Sequence, residues 1–242
     1  AAADNLGLKI IIDAQLNHTA DYLEYPSTTY SPADYKPAAP FDNPAWYHNT
    51  PNIVNFDDPN EAQNYSLGGL DDLAQENPDC WQALMDAYWN PDTDSGWFSY
   101  GFAGSRVDAV IEIPPQYLAL YEQHTGKPSF GEAFTGSVDA NAAFQNYMWG
   151  MLDFPLYFQM NKVFCKGEAW GGVKWVLDQD DKYNDTNRLF TFLDNHDRSR
   201  FLANAGDNWA KLRLALAFQY AVRGIPVVYY GTEQNMAGDF KY

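Results

Sequence analysis

A series of short apolar runs, each ending in charged or polar residues, constrains this chain most: LKIIID (8–13), GFAGSRVD (101–108), KPSFGE (127–132), RLFTFLDNHD (188–197) and GIPVVYYGTE (224–233). Runs this short and continuous suit strands buried on both faces, as in a parallel sheet. Helical patterns lie between them. Asn77-Pro78 reads as the cap and first turn of a helix with Trp81, Leu84, Met85 and Tyr88 on one face. A second helix is expected over 115–125, stopped by Gly126, and a third from about Asn208 through KLRLALAFQYAV to Gly224. Alternating strands and helices predict an α/β fold with parallel strands near 8–12, 101–107, 128–132, 149–153, 188–193 and 225–230. The opening AAADNLG reads as the tail of a helix closed by Gly7, so the chain is expected to be truncated at its N-terminus.

At 242 residues with 46% hydrophobic content, the chain has material for one large core and approaches the ~250 residues of a (β/α)8 barrel. Residues 19–76 are rich in Pro, Asn, Asp and Tyr and too long for an ordinary βα loop. They are expected to form a small excursion domain projecting from the strand ends, with 1–18 and 77–242 as the partial barrel. A net charge of −17 argues against nucleic acid, which needs clustered Lys and Arg, and against an anionic membrane surface. No apolar run approaches the ~20 residues that span a bilayer. Cys80 and Cys165 have no metal-ligand spacing. Aromatics make up 17% of the chain, many in polar stretches such as DYLEYPSTTY, and rings in wet, polar surroundings suit ligands with an apolar face and a hydroxylated rim, such as sugars.

Asp108, Glu132 and Asp197 each follow directly from an apolar strand run. In a (β/α) barrel the C-terminal ends of different strands converge on one site. Retaining glycoside cleavage needs a carboxylate nucleophile and a carboxylic acid proton donor about 5–5.5 Å apart. A neighbouring negative charge helps the acid keep its proton. A single Asp after a strand is more often a cap or a solvated turn; three strand-end carboxylates in recognisable strings are poorly explained that way.

Those strings carry a resemblance. DAQLNH (13–18), SRVDAV (105–110), GEAF (131–134) and FLDNHD (192–197) resemble, in order, the four signatures of the alpha-amylase family of glycoside hydrolases, and LDDL (70–73) resembles the short motif of its excursion domain. The resemblance runs from the third barrel strand to the eighth. It implies that Asp108 is the nucleophile, Glu132 the general acid and then base, and Asp197 the carboxylate that holds sugar hydroxyls. Arg106 would keep the nucleophile ionised, His18 and His196 would bind sugar, and Asp13 would support the site. Many members bind calcium; Asn17 and Asp72 match the side-chain ligands, with the backbone carbonyl of Glu112 usually contributing. An α-glucan substrate and an extracellular or periplasmic location are expected with it.

The pattern also departs from the family. Lys-His commonly stands three and four residues after the nucleophile, where this chain has Ile111 and Glu112. GEAFTGSVDANAAF, MLDFPL, TFLDNHDRSRF and YYGTEQNMAG resemble the cyclodextrin glucanotransferases and maltogenic amylases, and Phe134 matches their acceptor-site aromatic. Yet Gly68 stands where the transferases place a bulky ring around which the glucan curls. Retaining endo-hydrolysis of α-1,4-glucosidic bonds is therefore favoured over transglycosylation. A non-catalytic relative, which typically loses members of the triad, is disfavoured. The family's first two strands, a sugar-stacking tyrosine and the following β-sandwich are absent, so this segment alone is expected to be unstable or inactive.

Overall fold

The computed structural model describes residues 2–238; Ala1, at the head of the expected helix tail, lies outside them. The chain divides into two compact units, residues 1–132 and 133–242.

The first unit opens with helix α1 (Ala2–Asn5), closed by the amides of Leu6 and Leu8 donating to the Ala3 carbonyl, with Gly7 in the left-handed region at φ 72°. Strand β1 (Ile11–Ala14) follows, then a long connection carrying a 3-10 turn (Pro44–Trp46) and helix α2 (Pro59–Asn64). Next come helix α3 (Pro78–Tyr88), strand β2 (Gly104–Val107), a 3-10 turn (Val110–Glu112), helix α4 (Pro115–Thr125) and strand β3 (Ser129–Gly131). The strands are parallel, with Asp13 opposite Arg106 and Arg106 opposite Phe130. Every residue of β2 and β3 is buried, as the continuous apolar runs require, whereas β1 buries only Ala14.

Local chemistry accounts for the helices. The Asn77 side chain accepts the amides of Asp79 and Cys80, and Pro78 fills the first turn, so α3 begins where the cap pair demands. It buries Cys80, Leu84, Met85 and Tyr88; Trp81, expected on that face, is half-buried and meets the Tyr117 ring at 4.9 Å. Helix α4 buries Leu118, Tyr121 and Thr125 and ends at Gly126, φ 59°. Tyr121 fastens α4 to β2 by donating to Ser105 Oγ at 3.0 Å. Residues 19–76 are tied by isolated bridges, including His18 with Asp72, Tyr47 with Leu73 and Asn52 with Ser66. Asp71 anchors their start, accepting the Tyr22 and Leu23 amides at 2.9 and 3.0 Å.

The second unit runs through helix α5 (Val138–Phe144), strand β4 (Gly150–Leu152), helix α6 (Phe154–Met160) with a π-helical turn (Asn161–Cys165), and helix α7 (Gly171–Leu177). Strand β5 (Leu189–Thr191), helices α8 (Phe201–Asn204) and α9 (Trp209–Ala221) and strand β6 (Ile225–Pro226) follow. β4, β5 and β6 are parallel, Met151 facing Leu189 and Phe190 facing Ile225. Asn208 caps α9 by accepting the Ala210 and Lys211 amides, and Gln219, buried on the same helix, donates to the carbonyls of Thr191 and Val227 at 2.8 and 2.9 Å. That helix ends at Ala221, before the expected stop. Gly224 instead permits a close approach of backbones. At φ 94° it lies so near β5 that a Cβ would come within 2.3 Å of the Leu189 carbonyl oxygen. The strand expected at 225–230 is only Ile225–Pro226, although the Val227 amide still reaches the Thr191 carbonyl at 2.8 Å.

Buried Asp153 caps α6 and pairs with Arg223, which also reaches Asp180 at 2.8 Å. Cys80 and Cys165 are free, buried thiols; burial pushes them up to about 12 and about 11, so both are chemically quiet at neutral pH.

Candidate active site

Parallel register puts Asp13 and Arg106 side by side, and Asp108 shares a face with Arg106 because strand side chains repeat every two residues. The ladder extends one step beyond each strand: the Asp108 amide donates to the Ala14 carbonyl at 3.0 Å and the Glu132 amide to the Val107 carbonyl at 2.9 Å. Asp108 and Glu132 therefore leave adjacent strand ends at the same level. Arg106 joins them. Its Nη1 lies 2.6 Å from Asp108 Oδ1 and 2.9 Å from Asp13 Oδ1, and its Nη2 lies 2.6 Å from Glu132 Oε2.

The electrostatics follow from that geometry. Burial opposes the charge on Arg106, but the facing carboxylates Glu132, Asp108 and Asp13 outweigh it and raise its pKa, so the guanidinium stays charged. Burial pushes Asp108 upward; the Arg106 charge, a hydrogen bond with Glu132 and the His18 ring together hold its carboxyl below the usual aspartate range. A side-chain hydrogen bond from Gln15 adds to this. Gln15 is itself fixed by Tyr88, whose hydroxyl accepts the Gln15 amide at 2.8 Å and donates to the Gln15 carbonyl at 3.2 Å. His18 Nε2 stands 3.7 Å from Asp108 Oδ2. Burial lowers the His18 pKa despite the pull of Asp108, and Arg106 lowers it further, which favours a neutral imidazole.

The turn after Asp108 has a conformation that the sequence does not announce. Ala109 is left-handed (φ 50°, ψ 46°), which costs a Cβ-bearing residue roughly 1–2 kcal/mol. It folds the chain into the 110–112 turn, and the Val110 amide donates to the Glu132 carbonyl at 3.0 Å. An alanine in the string VDAV carries no signal of this kind.

Asn17 and Asp72 are both buried and come together beside the His18–Asp72 bridge, with a side-chain hydrogen bond between them. Asn17 Oδ1 and Asp72 Oδ1 are buried oxygens without a hydrogen-bond partner. Burial pushes Asp72 up to about 6 despite His48, which hydrogen-bonds Asp72 Oδ2 through Nδ1 and Glu76 through Nε2. Glu112 is buried near Asp108 and Asp72, and burial pushes its carboxyl up to about 7. Among the described residues no group of three or more His, Cys, Asp or Glu side chains is arranged to hold a metal ion. Gly68, at φ 62°, has open space where a Cβ would project, and that backbone disfavours the bulky aromatic of the transferases.

In the second unit the fourth string forms a loop after β5. Asp194 is buried as its brace, accepting the Phe201 amide at 2.8 Å and the Thr232 hydroxyl at 3.1 Å. Asp197 and His196 are exposed enough to meet a ligand and lie 3.1 Å apart, His196 Nε2 to Asp197 Oδ2. Phe134 is 50% exposed and leans on Phe154 and Phe158, ring centroids 4.9 and 5.7 Å away. Thus Asp108, Glu132, Arg106 and His18 form one cluster within the first unit, while Asp197, His196 and Phe134 belong to the second.

Comparison with known proteins agrees with the strings. A family model described as "Alpha amylase, catalytic domain" matches residues 1–241. The chain is 31% identical to a "Beta/alpha-amylase" of Paenibacillus polymyxa, over 98% of this chain and 20% of that protein. It is 30% identical to a cyclomaltodextrin glucanotransferase of Bacillus sp. (strain 38-2), over 96% of this chain and 34% of that protein. Among solved structures, an Anoxybacillus alpha-amylase superposes with TM-score 0.81 at 28% identity, covering 98% of this chain and 51% of the other. The chain thus spans a fifth to about a third of the length of these two curated relatives.

Proposed function

The chain belongs to the alpha-amylase family, and from that premise we propose that it carries the site for retaining endo-hydrolysis of α-1,4-glucosidic bonds in starch-like α-glucans. The observation that supports this most is the pairing of Asp108 and Glu132, hydrogen-bonded to one another and gripped by one guanidinium. A direct hydrogen bond between the two carboxyl groups fits the short carboxylate spacing of retaining enzymes better than the ~6.5–9.5 Å across which inverting enzymes lodge a water.

In this reading Asp108, kept ionised by Arg106, attacks the anomeric carbon while Glu132 gives its proton to the departing glycosidic oxygen. Glu132 then takes a proton from water, and the resulting hydroxide displaces Asp108 from the covalent glycosyl intermediate. Neutral His18 offers one ring nitrogen to a sugar hydroxyl beside the nucleophile. Asp197, with His196, is assigned to sugar hydroxyls on the strength of its motif. The (β/α)8 barrel with an excursion over 19–76 is part of the same proposal, supported by parallel strands in each unit and by likeness to amylase structures. An extracellular or periplasmic setting fits a polymer too large to enter a cell.

Calcium is included. The partnerless, buried Oδ1 atoms of Asn17 and Asp72 are hard donors, and with the Glu112 carbonyl they would hold the ion and brace the strand ends against the excursion. Transglycosylation is the second reading, favoured by the exposed Phe134 ring and disfavoured by Gly68. Product analysis on starch and maltooligosaccharides, with this segment carried in a complete catalytic domain, separates the two: shorter linear products with retained configuration are expected, and cyclic or lengthened products would overturn hydrolysis. Asp108→Asn and Glu132→Gln should each lower turnover by orders of magnitude with an unchanged circular-dichroism spectrum; near-normal turnover in either would remove it from its role.

A further inference from the structure

Between α3 and β2 the chain lifts two large aromatic rings into solvent. Trp97 and Tyr100 are 51% and 75% exposed, with ring centroids 6.2 Å apart and planes inclined at 47°. They sit on a 3-10 turn (Trp97–Tyr100) anchored by the buried ring of Phe98. Gly96 (φ 92°) and Gly101 (φ 89°) bound the turn. A Cβ at Gly96 would come within 2.8 Å of the Asp86 and Tyr88 carbonyl oxygens, so the turn is pressed onto the end of α3. Inside it, the Ser99 hydroxyl donates to the Gly96 carbonyl at 2.7 Å and the Gly101 amide to the Phe98 carbonyl at 3.0 Å. A second turn braces the approach. Asn90 and Ser95 exchange amide-to-carbonyl bonds at 3.0 and 3.3 Å, and the Asn90 side chain accepts the Asp92 and Thr93 amides. The two rings are thus held outward by a hydrogen-bonded backbone.

We propose that Trp97 and Tyr100 form a second, non-catalytic binding site for a neutral α-glucan chain. Each ring offers an apolar face, and the adjoining residues are polar. Asp92, Thr93, Asp94, Ser95 and Ser99 are all exposed and supply the hydroxyl and carboxylate partners that sugar hydroxyls take. Charge selects against anionic ligands: no Lys or Arg stands between Lys36 and Arg106, so this segment offers no cation to a phosphate or a carboxylate. Size selects against a protein partner. Two such rings bury about 300–500 Å² at most, well below the roughly 800 Å² per side of a stable protein interface. The turn precedes β2 and Asp108 follows it, so a four-residue strand, roughly 13 Å long, stands between the rings and the nucleophile. A chain held there lies outside the bond being cleaved, and its binding raises the local concentration of polymer. The proposal rests on the α-glucan reading and adds to it a site that favours long or granular substrate over short oligosaccharides.

The test uses a complete catalytic domain carrying this segment and compares it with Trp97→Ala, Tyr100→Ala, the double substitution and Trp97→Phe. Adsorption to starch granules is measured by depletion in a Glu132→Gln background, which does not turn over. In the active background, kcat/KM is measured on soluble maltotriose. Loss of one ring contact corresponds to about a two- to tenfold weaker dissociation constant. Each alanine substitution is expected to weaken granule adsorption by that factor, and the pair by more, while kcat/KM on maltotriose holds. Trp97→Phe keeps a ring and should retain most of the adsorption. Unchanged adsorption in the double variant would overturn the proposal and leave the hydrolase standing. So would a parallel loss of maltotriose cleavage, which would trace the effect to the fold or the catalytic site. Absence of any α-glucan cleavage by the unsubstituted domain would overturn the function, and this inference with it.

Discussion

Arg106 is 8% exposed and faces Asp13, Asp108 and Glu132, so its value is asymmetric. The intact ion cluster adds little net stability, but removing the cation strands buried carboxylates, which typically costs about 3–5 kcal/mol. Arg106→Met should approach the lower end of that range in urea unfolding, because Asp13 is half exposed and its share is screened. The same substitution carries a pH signature. Asp108 lies below the usual aspartate range because Arg106, Glu132 and His18 outweigh burial. A carboxylate so depressed contributes stability above the ordinary aspartate pKa and loses it as pH falls through the depressed value. Without Arg106, burial acts with less opposition, so the acidic limb of the activity profile should move to higher pH; an unmoved limb would mean that Asp108 is not the group whose ionisation limits the rate. At this scale the motifs named Asp108, Glu132, Arg106 and His18, which the structure brings together. Gln15 and Tyr88, which also steady Asp108, were not legible: one sat unremarked inside a signature and the other read as helix core.

Elements were easier to read than their ends. The start of α3 and the end of α4 came directly from Asn77-Pro78 and Gly126, because caps are short-range chemistry. Strand limits were overestimated, since a ladder lasts only as long as a partner runs alongside, and an apolar run says nothing about its partner's length. Gly224 makes the distinction measurable. Gly126 and Gly224 both have positive φ, but a Cβ at 126 meets nothing within 4 Å and one at 224 meets the Leu189 carbonyl oxygen at 2.3 Å. Gly126→Ala should cost about 1 kcal/mol for the left-handed backbone alone. Gly224→Ala should cost distinctly more, because β5 and β6 must part to admit the methyl group. Equal losses in thermal unfolding would show that the glycine serves only as a turn.

For the whole molecule, a net charge of −17 implies self-repulsion at neutral pH, so sodium chloride should raise the thermal midpoint as the Debye length shrinks to about 8 Å at 0.15 M. Calcium should raise it further at matched ionic strength, and Asp72→Asn should abolish that extra gain while leaving the sodium chloride effect. A calcium effect no larger than that of magnesium at equal concentration would mean that the Asn17 and Asp72 oxygens hold no specific ion. The sequence alone determined the alternation of strand and helix, the strand-end positions of Asp108 and Glu132, and the family. All of these rest on periodicity, caps and contiguous strings, which are properties of neighbours along the chain. Only the tertiary structure decided that Arg106 bridges Asp108 and Glu132, that Ala109 turns left-handed to tie their strand ends, and that Arg198 overhangs Phe134. The Arg106–Asp13 and Arg198–Tyr157 contacts join residues 93 and 41 positions apart. No local pattern encodes such pairs, because burial and register choose them only once the strands have packed.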